Sequence, residues 1–155
     1  MKVLVLSASH VAALLIGFGL GIYLLPILTA PPSPDAAMLE KMAENALYRA
    51  EFTRDLQGSD LLHWGEGRIS LSATEVVHNG KLAPGPDYKL YLAPRFVQIE
   101  DQFLALKDQA QLIGDVKTFS GFLLSVPAGV DIEQFTTVII WCEAFSEFIT
   151  AAQYR

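Results

Sequence analysis

From Val3 to Leu28 the chain runs 26 residues without an Asp, Glu, Lys or Arg, and no other feature limits the fold so strongly. At 1.5 Å per residue, about 20 apolar residues cross the hydrocarbon core of a bilayer. The run therefore predicts a single membrane span. A cleaved signal peptide carries a shorter apolar region, roughly 7 to 15 residues, followed by a small-x-small cleavage site. Leu28-Thr29-Ala30 matches such a site poorly, so residues 1–30 read as a retained signal-anchor. A lipoprotein would need a cysteine just after the run, and the only cysteine is Cys142. Lys2 and the terminal amine are the only cations ahead of the span, which orients the N-terminus to the cytoplasm. Residues 31–155 are then extracytoplasmic, in a periplasm or outside the cell.

All 17 acidic residues lie after the span with 10 of the 11 basic ones, so the exported part has a formal charge of 10 minus 17, or −7. Such a surface repels nucleic acid and anionic lipid. One cysteine excludes an intramolecular disulfide and leaves a free thiol, an intermolecular bridge or a ligand.

Ala30-Pro31-Pro32-Ser33-Pro34 cannot continue a helix and forms a short stiff spacer. Beyond it, Leu39, Met42, Ala43, Ala46, Leu47 and Ala50 recur at helical spacing, predicting an amphipathic juxtamembrane helix to about Leu56 with Ser33 or Asp35 as its cap. The polar face mixes charges, so the apolar stripe suits packing on the following domain, or a homodimer, better than a lipid surface. Three units result: an anchor at 1–30, a spacer and helix at 31–57, and a β domain at 58–155.

The fold class reads as all-β, an antiparallel β-sandwich behind the two helices, from short runs at 63–72, 74–78, 81–83, 88–92, 96–99, 111–113, 117–126, 136–142 and 147–154 separated by turn residues. Asn79-Gly80 predicts a two-residue hairpin turn. Gly85-Pro86-Asp87-Tyr88 predicts a rigid corner in which Asp87 accepts backbone hydrogen bonds. Glu100-Asp101 reads as a helix start, with helical propensity to Gln109, and Asp131 to Phe135 as a single helical turn.

The longest β-branched run outside the anchor is Thr137-Val138-Ile139-Ile140-Trp141-Cys142. Alternation turns Val138, Ile140 and Cys142 to one face and Thr137, Ile139 and Trp141 to the other, both largely apolar, which predicts a central strand covered on both sides. Cys142 beside Trp141 at its end suits plain core packing or a redox or ligand site. The thiol has no cation nearby in sequence, and its pKa should be raised by burial and by Glu143; Lys117 and Arg68 are the only cations another strand could bring. Phosphate-loop, dinucleotide, nucleophile-elbow and C-x-x-C motifs are all absent, so no catalytic constellation marks an enzyme. His10, His63 and His78 form no ligand pair and read as structural.

Four blocks together resemble the DM-thirteen domain family: Gly65-x-Gly67-x-Ile69-x-Leu71, Gly85-Pro86-Asp87-Tyr88-x-Leu90-Tyr91-Leu92, Gly121 to Pro127, and Ile140-Trp141-Cys142-Glu143-x-Phe145. The resemblance covers about residues 58–155. It implies a compact β-sandwich related to modules found beside DOMON and cytochrome-type domains, and an electron-transfer role centred on the cysteine that matches Cys142. The cofactor is left open, with a haem or metal bound through Cys142 as the candidate, and any redox partner would be a separate chain. The competing reading is a non-catalytic binding or scaffolding module in which Cys142 is a core residue.

Overall fold

The computed structural model describes residues 1–155. Its first element, α1 (Lys2–Thr29), is long and apolar enough to cross a membrane, and none of its residues is buried by the rest of the chain. After the Pro-rich spacer, Asp35 accepts from the amides of Ala37 and Met38 and caps α2 (Ala36–Ala43). The expected long amphipathic helix ends there. Tyr48–Phe52 is instead strand β1, paired with β2 (Gly65–Leu71). Arg49 and Glu51 face solvent while Tyr48, Ala50 and Phe52 turn inward, an alternation that lets the segment bury a face against the sheet. The eight residues left in α2 lay their apolar stripe on their own domain: Leu39 is 1% exposed and packs against Gly121.

Two four-stranded antiparallel sheets follow. The first has the order β1-β2-β3-β6, with β3 at Glu75–Leu82 and β6 at Phe122–Ser125. The second has the order β5-β4-β7-β8, with β4 at Tyr88–Ala93, β5 at Gln111–Val116, β7 at Thr137–Cys142 and β8 at Glu147–Gln153. The sandwich is as expected, but the chain is not all-β, since about 30% of its residues are helical.

Asn79-Gly80 is not a hairpin turn. Strand β3 runs straight through it, because Gly80 lies opposite Gly67 and a Cβ there would meet the Glu66 carbonyl oxygen at 2.0 Å. The glycine answers a close approach of two backbones. Residues 96–99 form no strand, and the 117–126 run shortens to β6. Glu100 does open a helix, α3 (Glu100–Leu104), followed by a 3-10 turn at Lys107–Gln109, and a second 3-10 turn occupies Ile132–Gln134.

Strand β7 is the interior strand that its sequence predicts, with all six residues buried. Val138, Ile140 and Cys142 join the core between the sheets, with Phe52, Leu71, Leu90 and Phe122. Ile139 and Trp141 join a second core on the outer face of that sheet, where Phe103 of α3 and Leu106 cover them. Each such side chain contributes roughly 1.5–3 kcal/mol on leaving water, so both faces of β7 anchor the domain.

Candidate functional site

Cys142 ends β7, where it pairs with Tyr88 on one side and Glu147 on the other. Next to these residues one extra residue on β8, Ile149, shifts the β7–β8 register between Ile140 and Trp141. Such a bulge re-aims the side chains around it. A cavity of about 420 Å3 lies over this point, lined by Cys142, Tyr88, Pro86, Phe145, His63 and Glu147 among others. The thiol itself is 3% exposed.

The Gly85-Pro86-Asp87-Tyr88 corner belongs to this site. Glu143 N donates to Asp87 O at 2.9 Å, which locks the corner to the turn after β7. A Cβ on Gly85 would lie 2.3 Å from the Tyr88 ring, so only glycine lets the corner close over that ring. The Asp87 carboxylate, however, does not cap buried amides. It is partly exposed and its Oδ1 lies 2.9 Å from Lys89 Nζ, which also binds Asp115 at 2.9 Å.

Cys142 and Trp141 are not brought together. Adjacent residues of one strand face opposite ways, and Trp141 sits in the outer core with its ring 4.9 Å from that of Phe103. No single ligand can touch both from one face of the sheet. Trp141 has different company, a cluster of Tyr91, Lys107 and Glu143. Lys107 Nζ lies 5.3 Å from the Trp141 ring and 2.6 Å from Glu143 Oε2, while the Tyr91 hydroxyl donates to Glu143 Oε1.

Burial pushes the Cys142 thiol up, the amides of Phe145, Asp87 and Ala144 act against it, and the charge of Asp87 adds to the rise. The expected direction holds, but the acid responsible is Asp87 across the sheet rather than Glu143, whose carboxylate points away. Neither cation considered from the sequence reaches the thiol: Arg68 faces Glu40 at 3.6 Å and Lys117 faces Asp115 at 3.8 Å. A neutral, buried thiol is a poor nucleophile.

No three His, Cys, Asp or Glu side chains lie close enough together to hold a metal ion. Of the side-chain types that bind haem iron, the cavity lining supplies Cys142, His63 and Tyr88. His63, expected to be structural, turns out to line the cavity, with Nδ1 2.9 Å from Asp60 Oδ2. His78 is structural: it is fully buried between Phe52 and Phe122, with Nε2 3.0 Å from Glu66 O. Tyr88 reaches Cys142 through the pairing of β4 with β7, while His63 and Phe145 join the cavity from the loop before β2 and the turn after β7, and no local signal in the sequence carries this convergence.

A family model described as Electron transfer DM13 matches residues 51–154. No curated protein and no solved structure gives a match.

Proposed function

The chain belongs to the DM13 electron-transfer family, and from that premise we propose that it is a membrane-anchored, extracytoplasmic redox accessory domain whose site is the cavity over Cys142. The observation that carries this reading is the convergence of Cys142, Tyr88 and the Gly85-Pro86 corner on one cavity. Two separate signature blocks of the sequence thus build one place. The anchor is α1 in residues 1–30, the unit at 31–57 contributes β1 to the sandwich formed with residues 58–155, and the partner that delivers or accepts electrons is a separate chain. A homodimer through α2 would draw on exposed Met38, since Leu39 is already covered by the domain.

The full chain, purified from membranes in mild detergent, tests the redox reading. Bound chromophore whose visible absorbance changes on reduction, and which Cys142→Ser loses while still folded, is the expected result. A colourless protein with the same redox silence in wild type and Cys142→Ser would overturn it. The intact mass of the same preparation tests the anchor: a mature N-terminus near Pro31 would show that α1 is removed.

The second reading, a binding or scaffolding module, rests on the thiol itself. Cys142 is 3% exposed and is part of the core between the sheets. Colourless protein that retains a partner in wild type and Cys142→Ser alike would favour it.

A further inference from the structure

Residues 1–21 are all exposed, although Gly19 already lines the Cys142 cavity, and the domain partly covers Ile22 and Pro26 on one face of α1 and Ala30 just beyond its end. Three recesses lie along this contact. Ile22 and Tyr23 line the Cys142 cavity with Leu62 and Phe145, Pro26 and Thr29 line a second recess with Gly85 and Tyr88, and Ile27 and Ala30 line a third with Trp64 and Phe119. One end of the sandwich is therefore gathered around the last turns of α1. The turn at Ser72–Thr74 lies at the other end of β2, about 20 Å away at 3.3 Å per residue.

Depth follows from length. About 20 residues fill the hydrocarbon core, so a span that starts at Val3 ends near Ile22. The last apolar residues, Tyr23 to Leu28, then rise about 9 Å through the interfacial layer at 1.5 Å per residue. That places the gathered end of the domain at the level of the lipid headgroups. The loops there carry side chains suited to it: Leu61 is 94% exposed, Leu62 55% and Phe145 49%. Tyr23 lies at the start of this layer and Trp64 beside Ile27 and Ala30 further out, in a zone where amphipathic rings are favoured.

We propose that this end of the sandwich is seated in the outer surface of the bilayer, with Leu61, Leu62 and Phe145 inserted among the lipids, so that the rim of the Cys142 cavity meets the lipid phase. The occupant of this face is the bilayer itself, and a largely zwitterionic one, because the exported part carries a formal charge of −7 from 10 basic and 17 acidic residues. A ligand of the cavity would then be apolar and membrane-dissolved, matching a lining of Ile22, Leu62, Pro86 and Phe145. The seating rests on the reading of α1 as a retained span.

The full chain in phosphatidylcholine vesicles tests it, with Cys142→Ser removing the native thiol and a polarity-sensitive dye attached at Leu61→Cys or, as the distant control, Ala73→Cys. The expected result is co-flotation with the vesicles, several-fold stronger quenching at Leu61 than at Ala73 by spin labels on the acyl chains, and weaker quenching at Leu61 by aqueous iodide. Co-flotation with both sites equally open to iodide would overturn the seating and leave the anchor intact. Protection from iodide without acyl-chain quenching would also overturn it, since a second copy would then cover the face. Failure to co-float would overturn the anchor and the seating together.

Discussion

Lys107 Nζ lies 2.6 Å from Glu143 Oε2, on the face of the sheet opposite to the thiol of Cys142. Glu143 follows Cys142 in sequence yet belongs to the Trp141 side, where the Tyr91 hydroxyl also donates to it. Burial pushes its carboxyl up, but the hydrogen bonds from Lys107 and Tyr91 and the charge of Lys107 outweigh this and hold it below the usual range. A depressed carboxylate contributes stability above its unfolded pKa and loses it as pH falls through the folded value. Glu143→Gln should cost about 1 kcal/mol at neutral pH and should flatten the acid limb below about pH 4.5. Urea melts of both proteins from pH 7 to pH 3 check this; parallel curves would show that the pair contributes nothing.

His78 provides a second pH signature in a separate window. Burial between Phe52 and Phe122 lowers its pKa to about 4, against the one backbone contact to Glu66 O that raises it. The unfolded imidazole takes its proton near pH 6.5, so the stability of the neutral buried ring is present above that and is lost as pH falls toward 4. A difference of that size corresponds to roughly 3 kcal/mol. His78→Phe should remove the slope between pH 6.5 and 4 while leaving the one below it. Melting temperatures that fall equally in both proteins across that window would contradict this.

How much of this was legible in the sequence depended on whether the signal was local. Strand β7 could be read because its β-branched run has one conformation that buries both faces. Gly80 and the helical spacing of Ala46, Leu47 and Ala50 misled for the same reason: each pattern has two local readings, and a distant strand chooses between them. Gly67 made the first a close crossing, and pairing with β2 made the second a strand. The position of Cys142 could be read, but its companions Tyr88, His63 and Phe145 arrive through long-range pairing and turns.

Cys142 should alkylate slowly in the folded apo protein at neutral pH and quickly after denaturation, because burial and the Asp87 charge both keep the thiol protonated. Asp87→Asn should lower its pKa and speed the native reaction, whereas Glu143→Gln should not. Little stability should be lost with it, since Lys89 keeps Asp115 at 2.9 Å and an exposed ion pair is worth at most about 1 kcal/mol. Cys142→Ser should fold with a loss of about 1–3 kcal/mol, the cost of placing a hydroxyl in that core. Rate against pH with iodoacetamide separates the two acids; an equal response to both variants would mean that Asp87 has no special coupling.

Gly85→Ala tests whether the corner and the thiol form one unit. The added methyl would lie 2.3 Å from the Tyr88 ring, which is 3% exposed and cannot move aside into solvent without leaving the core. Overpacking of this kind costs about 1–3 kcal/mol, but stability alone would not distinguish this glycine from any other tight position. The distinguishing readout is the cysteine. Tyr88 pairs directly with Cys142 across β4 and β7, and the Asp87 carbonyl holds the Glu143 amide at 2.9 Å. Displacing the ring therefore opens the cavity over the sulfur. Under native conditions Gly85→Ala should accelerate Cys142 alkylation by more than its stability loss accounts for, while Gly80→Ala, which clashes with the Glu66 carbonyl in the other sheet, should accelerate it only through global unfolding. Equal acceleration in both variants, at matched stability, would show that Gly85 and Tyr88 do not gate the thiol.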